Sequence, residues 1–164
     1  MKHATFTTAT LITLMLGAPS VADTSDWKDL SGLAFQSIDA DANGSITSSE
    51  FSSFGEDVFL SMDSNESGAL SLGEFYNWGF GMHNAAEDAG QADAFETAMR
   101  VIFALWDRNA DNDVSAEEYR QSLDFEMMRA DLDGDNALTE TEYQAGFSIV
   151  AAAQAAIHPQ STDN

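Results

Sequence analysis

The stretch that decides the fold is Asp39-Ala-Asp-Ala-Asn-Gly-Ser-Ile-Thr-Ser-Ser-Glu50, in which oxygen-bearing side chains alternate with other residues up to a glycine. A twelve-residue segment of the same pattern occurs three more times, at 63–74, 107–118 and 131–142. We name the four segments loop one to loop four in chain order. Each loop begins with Asp and ends with Glu, and an aromatic residue follows. Such self-similarity indicates one structural unit used four times.

The residues that flank the loops have the period of a helix. Apolar side chains recur there at intervals of three or four, as expected for one face of an amphipathic helix. The sequence therefore predicts an all-α protein built from helix-loop-helix units. The residues with this spacing include Trp27, Leu30, Ala34 and Ile38 before loop one, and Phe95, Met99, Ile102, Phe103 and Trp106 before loop three.

Two positions inside each loop have conformational roles. Position 6 must turn sharply, and Gly44 and Gly68 allow a positive φ there without steric cost. Loops three and four have Asn112 and Asn136 instead, and Asn tolerates the left-handed region better than most residues. Position 8 is always aliphatic, which suits a short two-stranded ladder between paired loops. The four residues at position 8 are Ile46, Leu70, Val114 and Leu138.

Oxygen donors recur at positions 1, 3, 5, 7, 9 and 12 of every loop. Calcium takes six to eight oxygen ligands, and a loop of this length supplies side chains, one backbone carbonyl at position 7 and a bidentate Glu at position 12. The sequence therefore predicts up to four bound Ca²⁺ ions. The predicted ligands are Asp39, Asp41, Asn43, Ser45, Thr47 and Glu50 in loop one; Asp63, Asn65, Ser67, Ala69, Ser71 and Glu74 in loop two; Asp107, Asn109, Asp111, Asp113, Ser115 and Glu118 in loop three; and Asp131, Asp133, Asp135, Ala137, Thr139 and Glu142 in loop four.

On these residues the four segments resemble EF-hands of the calmodulin superfamily, and the chain is similar to secreted bacterial EF-hand proteins. The resemblance covers roughly residues 27–155. It implies four EF-hand helix-loop-helix units with short two-stranded ladders between paired loops. It also implies a calcium-binding protein that acts as a sensor or a buffer. Loops three and four depart from the family pattern because they lack Gly at position 6.

The number of carboxylate ligands differs between the loops. Loop two has only Asp63 and Glu74, whereas loop four has carboxylates at positions 1, 3, 5 and 12. Loops one and three lie between these extremes. Because ligand charge is one determinant of calcium affinity, we expect loop four to bind most tightly and loop two most weakly.

The spacing of the loops bears on how they pair. Twelve residues separate Glu50 from Asp63 and Glu118 from Asp131, so one helix is expected to leave one loop and enter the next. A straight helix of that size holds its ends about 18 Å apart. We therefore expect loop two to pair with loop three, and loop one with loop four. Alternatively, Gly55 breaks the first shared helix and lets loops one and two pair.

The charge balance excludes several classes of partner. Acidic residues number 28 against 6 Lys and Arg, which gives a formal charge of −22. Nucleic acid and anionic membrane surfaces are poor partners because both require basic residues. The absence of cysteine excludes disulfides, thiolate zinc sites and thiol catalysis. No nucleophile stands beside a base, so we do not expect an enzyme.

The N-terminus predicts export. Lys2 precedes an apolar stretch at 9–18, and small residues at 20–22 resemble a signal-peptidase site. We expect a signal peptide at 1–22, a periplasmic or secreted mature chain, and no membrane span after cleavage. The remaining divisions predicted are loops one and two within 23–82, a polar linker at 83–91, loops three and four within 92–158, and a flexible tail at 159–164.

Methionine and aromatic residues are numerous beside the loops, and two interpretations remain open. They are candidates to line a groove for a protein partner once calcium binds, or they form an ordinary core. An alternative function is a calcium-stabilised structural or adhesion module whose sites stay filled. The residues concerned are Met62, Phe75, Tyr76, Trp78, Phe80, Met82, Met99, Met127 and Met128.

Overall fold

A computed structural model describes residues 27–78 and 82–157. The predicted signal peptide and the predicted tail lie outside these residues. The described chain is mostly helical, with short antiparallel strand pairs. No helix in these two ranges is long and apolar enough to cross a bilayer. The elements are α1 Trp27–Ile38, β1 Ser45–Thr47, α2 Ser48–Met62, β2 Ala69–Ser71, α3 Leu72–Asn77, α4 Met82–Asp88, α5 Ala92–Trp106, β3 Asp113–Ser115, α6 Ala116–Ala130, β4 Ala137–Thr139, α7 Glu140–Gly146 and α8 Ser148–Ile157.

Two helices are each shared by two loops, as the spacing predicts. Helix α2 connects loop one to loop two, and α6 connects loop three to loop four; each has 15 residues. The side chain of Thr47 accepts the N–H of Glu50 and starts α2 with a capping box, and Ser115 starts α6 in the same way. The alternative of a break at Gly55 is wrong, since α2 runs through that residue.

Gly55 serves packing between helices instead of bending α2. It is buried, and a Cβ atom added there would lie 2.1 Å from Cδ1 of Leu123 on α6. The two shared helices therefore approach one another closely at this point. The ring of Phe59 on α2 lies 5.3 Å from that of Tyr119 on α6, centroid to centroid.

The strands pair in the crossed arrangement. Strand β1 of loop one is antiparallel to β4 of loop four, and β2 of loop two is antiparallel to β3 of loop three. Ile46 stands opposite Leu138, and Leu70 opposite Val114. All four side chains have 0% exposure. The predicted pairing of loop one with loop four, and of loop two with loop three, is confirmed.

One hydrophobic core is built from both halves of the chain. Helix α1 packs on α7 and α8, α2 packs on α6, and α5 packs on α8. Aromatic rings join the halves: Phe35 lies 5.9 Å from Tyr143, and Phe75 lies 5.3 Å from Trp106, centroid to centroid. A cavity of about 40 Å³ remains within this core.

The segment predicted as a polar linker, 83–91, is largely helical. Most of it belongs to α4, which packs on α5 and α8. Ala85 and Ala86 are buried because their small side chains let the helix approach the core closely. Nδ1 of His83 lies 2.8 Å from the hydroxyl of Tyr76, within hydrogen-bond distance. The division of the chain into domains stays a prediction.

Most of the methionine and aromatic side chains considered for a groove lie in the core. Met62, Met82, Met99 and Met127 are between 3% and 7% exposed, whereas Met128 is 67% exposed. Phe75 is buried, and Tyr76 and Trp78 are partly buried against the core. Phe80 lies outside the described residues. In this structure the buried members of this set therefore belong to a core and not to an open groove.

Candidate metal centres

The Asp at position 1 organises the first half of each loop. In loop one, the amide N–H of Asn43 donates to Oδ1 of Asp39 (3.1 Å), and that of Gly44 donates to Oδ2 (2.9 Å). The chain has positive φ on both sides of Asn43, at Ala42 (+55°) and at Gly44 (+88°). The same carboxylate arrangement is present at Asp63 with Ser67 and Gly68, and at Asp107 with Asp111 and Asn112. In loop four, Oδ2 of Asp131 accepts from Asn136 at position 6, but Oδ1 accepts from Gly134 at position 4, one residue earlier than in the other loops.

The Glu at position 12 closes each loop from the other end. Oε2 of Glu50 accepts the amide N–H of Thr47 (2.9 Å) and its hydroxyl (2.7 Å). Oε1 accepts the amide N–H of Ala40 (3.0 Å), near the start of the loop. Equivalent bonds join Glu118 to Ser115 and Arg108, and Glu142 to Thr139 and Leu132; Glu74 accepts from Ser71 and from the hydroxyl of Ser64.

The side chains at positions 3 and 5 are oriented by hydrogen bonds that their oxygen atoms accept from backbone N–H groups two residues further along the chain. Oδ1 of Asp41 accepts from Asn43 (3.1 Å), and Oδ1 of Asn43 accepts from Ser45 (2.8 Å). Such local bonds are typical of Asp and Asn in turns. The same bonds occur at Asn109 and Asp111 in loop three, and at Asp133 and Asp135 in loop four.

Carboxylate oxygens converge most closely in loops one and four. One oxygen each from Asp39, Asp41 and Glu50 lie within 4.8 Å of one another. Asp131, Asp133 and Glu142 form the second such group found in the described ranges. Like charges this close repel each other, so the arrangement favours a bound cation. An all-oxygen donor set fits a hard cation such as Ca²⁺. These two loops are also the two that β1 and β4 join.

Loops two and three do not bring three carboxylates together in this way. Their position 3 is an amide, Asn65 or Asn109, and position 5 of loop two is Ser67. In loop three, Nδ2 of Asn109 donates to Oδ2 of Asp111 (2.9 Å). In loop two, the hydroxyl of Ser67 donates to the carbonyl of Ala69 at position 7 (2.8 Å). Both loops keep the hydrogen bonds at positions 1 and 12. Loop two has only two carboxylate ligands, whereas loop three has three, as loop one does, at positions 1, 5 and 12.

Each loop has a second sharp turn, at position 4, which was not predicted from the sequence. Ala42, Glu66 and Ala110 have φ between +55° and +59°, and Gly134 has φ of +79°. Only Gly134 gives a sequence signal for this conformation, because the other loops place ordinary residues there. Loop four thus has glycine at position 4 and asparagine at position 6. Its most conformationally free residue therefore lies two positions earlier than in loops one and two.

The hydrogen bonds at position 12 stabilise the charged form of each Glu. The pKa of Glu74 falls to about 2, chiefly because its carboxylate accepts the backbone N–H of Ser71, and also because the hydroxyls of Ser71 and Ser64 donate to it. The pKa values of Glu50 and Glu142 are also lowered, mainly by the backbone N–H at position 9. For Glu118 the hydroxyl of Ser115 is the main cause of the lower pKa. These carboxylates are therefore ionised at neutral pH.

We expect the stabilising effect of Glu74 to disappear in acid. A carboxyl group with a lowered pKa in the folded state stabilises the fold above its unfolded pKa, 4.5, and loses that effect as the pH falls to about 2. In chelator, the difference in unfolding free energy between the wild type and Glu74→Gln should therefore shrink from pH 5 to pH 2. Urea unfolding at each pH measures it. Glu66→Gln, in the same loop, is the matched control, and a difference that stayed constant would contradict the expectation.

A comparison with known families gives one match. Residues 33–54 match the family model described as EF hand. This stretch runs from the second half of α1 through loop one and into α2. No curated protein and no solved structure gave a significant match. With the converging carboxylates of loop one inside the matched stretch, the finding supports an EF-hand protein and suggests that it binds calcium.

Proposed function

We propose that the chain is an exported calcium-ion binding protein with four EF-hand sites, one in each loop. The observation that most directly supports calcium binding is the convergence of three carboxylates within 4.8 Å in loop one, inside the stretch that matches the EF-hand family. Loop four has an equivalent cluster of three carboxylates. We include loops two and three because their carboxylates at positions 1 and 12 accept the same backbone hydrogen bonds as those of loop one. These carboxylates belong to Asp63, Glu74, Asp107 and Glu118. N-terminal sequencing of the exported chain tests export; a start at Met1 would refute the predicted cleavage.

The packing supports a buffer more than a sensor. A sensor exposes an apolar groove when calcium binds, whereas a buffer changes little. Here Met62, Met99 and Met127 belong to one core, which contains residues from all four helix-loop-helix segments. Exposing these side chains would separate helices from both halves of the chain. A dye that reports exposed apolar surface tests this, because a sensor would bind more dye in calcium than in chelator.

A calcium-stabilised structural or adhesion module is the second candidate. The crossed ladders favour it, because they tie the first loop to the last and close the chain on itself. Extracellular calcium modules work with dissociation constants of about 0.1–1 mM. Dissociation constants far below the surrounding calcium concentration would leave the sites permanently filled and favour this candidate over a buffer.

Calorimetric titration of the purified mature chain with calcium, and separately with magnesium, tests the proposed function. We expect up to four calcium ions per chain and weaker binding of magnesium, which demands a near-ideal octahedral shell. Circular dichroism on the same samples reports the conformational response. No uptake of calcium at millimolar supply would overturn the proposal.

The affinities are expected to follow the carboxylate content of the loops. Glu142→Gln should remove the tightest binding step, because loop four has the most carboxylate ligands, whereas Glu74→Gln should remove the weakest step. Calorimetric titration of the two variants with calcium shows the affinities of the binding steps that remain in each. The reverse order, with the tightest step lost in Glu74→Gln, would show that loop geometry outweighs ligand charge.

A further inference from the structure

We propose that a groove between α5 and α6 binds a small amphiphilic carboxylate, that is, an aliphatic carboxylic acid in its charged form. The groove has a volume of about 340 Å³, and none of the residues that line it is a candidate calcium ligand. Sites for small molecules are typically clefts of about 300–1,000 Å³ with apolar walls and a few polar groups that fix orientation. The size and the lining of this groove are of that kind.

The apolar part of the groove comes from α5 and α6. Ile102 and Trp106 line it and are 5% and 4% exposed, so they form its base. Leu105 and Phe125 also line it, but they are 70% and 52% exposed. An aliphatic chain lying in the groove would remove part of these two side chains from water, which favours binding.

Arg108 supplies the charge that a carboxylate would meet. Arg100, Arg120 and Arg129 each form an ion pair with a carboxylate of their own helix, whereas Arg108 forms none within the described part of the chain. Its Nη2 donates a long hydrogen bond, 3.4 Å, to the hydroxyl of Ser122. A guanidinium group is a planar fork of N–H donors that matches a carboxylate. Arg108 is therefore free to bind the head group of the ligand.

The other charged groups of the groove compensate each other. Glu126 is 4% exposed and accepts from Arg129 at 2.7 Å, and Ser148 donates its hydroxyl and its amide N–H to the same carboxylate. The hydroxyl of Ser122, which is 2% exposed, can donate its hydrogen to an anion beside Arg108. The groove thus offers one uncompensated positive charge next to a buried hydroxyl.

A second groove, between α2 and α6, shows what the first one has in addition to size. It is larger, about 550 Å³, and is also lined by an exposed leucine, Leu60. Its arginine, Arg120, is already paired with Glu117 at 2.7 Å and with Asp124 at 3.0 Å, and Glu56 adds a further negative charge. We therefore expect an anion to choose the smaller groove, because only there is the arginine unpaired.

The formal charge of −22 is compatible with an anionic ligand at this place. Charges on the surface that lie more than about 8 Å away are largely screened at physiological ionic strength. Loop three, which contains Arg108, is acidic, and a bound cation offsets part of that charge. The experiments are therefore done at physiological ionic strength in millimolar calcium. Calcium uptake is measured by the separate calorimetric titration, so the failure of one proposal is distinguishable from the failure of the other.

The test is a titration of the full mature chain with n-octanoate, followed in ¹H–¹⁵N spectra. We expect saturable shifts at the amides of Leu105, Arg108, Ser122 and Phe125. The alcohol n-octanol, which has the same chain length without the charge, should bind about 5-fold more weakly. Arg108→Gln should weaken octanoate binding by about the same factor, as expected for one exposed charge pair, and should leave octanol binding unchanged.

Two variants in the second groove are the matched controls. Arg120→Gln also removes an exposed arginine, and Leu60→Ser matches Leu105→Ser because the two leucines are 72% and 70% exposed. Leu105→Ser should weaken both octanoate and octanol, whereas the two control variants should bind octanoate as the wild type does.

Three results would overturn the proposal. They are the absence of saturable shifts with octanoate, equal affinities of the wild type for octanoate and octanol, and equal weakening of octanoate binding by Arg108→Gln and Arg120→Gln. The comparison of octanoate with octanol uses the wild type alone, so it decides the matter even if a variant does not fold.

Discussion

Chelation of calcium is expected to lower the melting temperature of the chain by roughly 20–40 °C. A ligand present at 100 times its dissociation constant stabilises the fold by about 2.7 kcal/mol per site, so four sites contribute about 11 kcal/mol. For a domain of this size each kcal/mol corresponds to about 2–4 °C. The effect is large because more than half of the 28 acidic residues lie inside the four loops, where they repel one another without a cation.

Thermal circular dichroism in millimolar calcium and in chelator measures this difference. The control is a variant with Gln at position 12 of all four loops, which should melt at the same temperature in both solutions. Its substituted residues are Glu50, Glu74, Glu118 and Glu142. Equal melting temperatures of the wild type in calcium and in chelator would contradict the expectation, because binding to the folded state alone must stabilise it.

Glu126→Ala is expected to lower the unfolding free energy by about 3 kcal/mol. Glu126 is 4% exposed and accepts from Arg129 at 2.7 Å. It also accepts the amide N–H of Ser148 at 2.9 Å and its hydroxyl at 2.6 Å, which fixes the first residue of α8. Removing one partner of a buried pair costs about 3–5 kcal/mol. The lower end of this range applies because the Arg129 side chain is 43% exposed, so solvent can stabilise its charge once Glu126 is removed.

Urea unfolding in saturating calcium measures the effect. Glu117→Ala is the matched control, since it removes a carboxylate from the same helix that is paired with Arg120 at 2.7 Å but is 61% exposed. Because water screens an exposed pair of this kind, we expect Glu117→Ala to lose much less stability than Glu126→Ala. Equal losses in the two variants would mean that the contacts of Glu126 with α8 contribute little to stability.

The donor set of the candidate sites was predictable from the sequence, because one loop holds nearly all of a site within twelve consecutive residues. Asp39 and Glu50 bond to amide groups of their own loop, so local sequence suffices to place them. The turn at position 4 was not predictable. Ala42 and Ala110 adopt a positive φ there although alanine has no preference for it, and the closing of the surrounding loop enforces it.

The periodic apolar residues show a second limit on what can be predicted from the sequence. Helical spacing identifies which face of a helix is apolar, but not what covers that face. Met99 and Met127 are buried, whereas Met128 on the same helix as Met127 is exposed. Whether methionines of this kind line a groove or a core is decided by the helices that pack on them, and those helices come from distant parts of the chain.

The sequence by itself predicted the four loops, their candidate donor positions and the helices between them, because each depends on contacts within a few residues. It also restricted the pairing, since a straight helix between adjacent loops keeps them apart. Only the tertiary structure decided that this helix stays unbroken. Gly55 would permit a bend, and Leu123, which is 68 residues further along the chain, packs against it and fills the space beside a continuous α2. The four loops have nearly the same local pattern, so the choice of partner was set by the shared core that brings their aliphatic residues together.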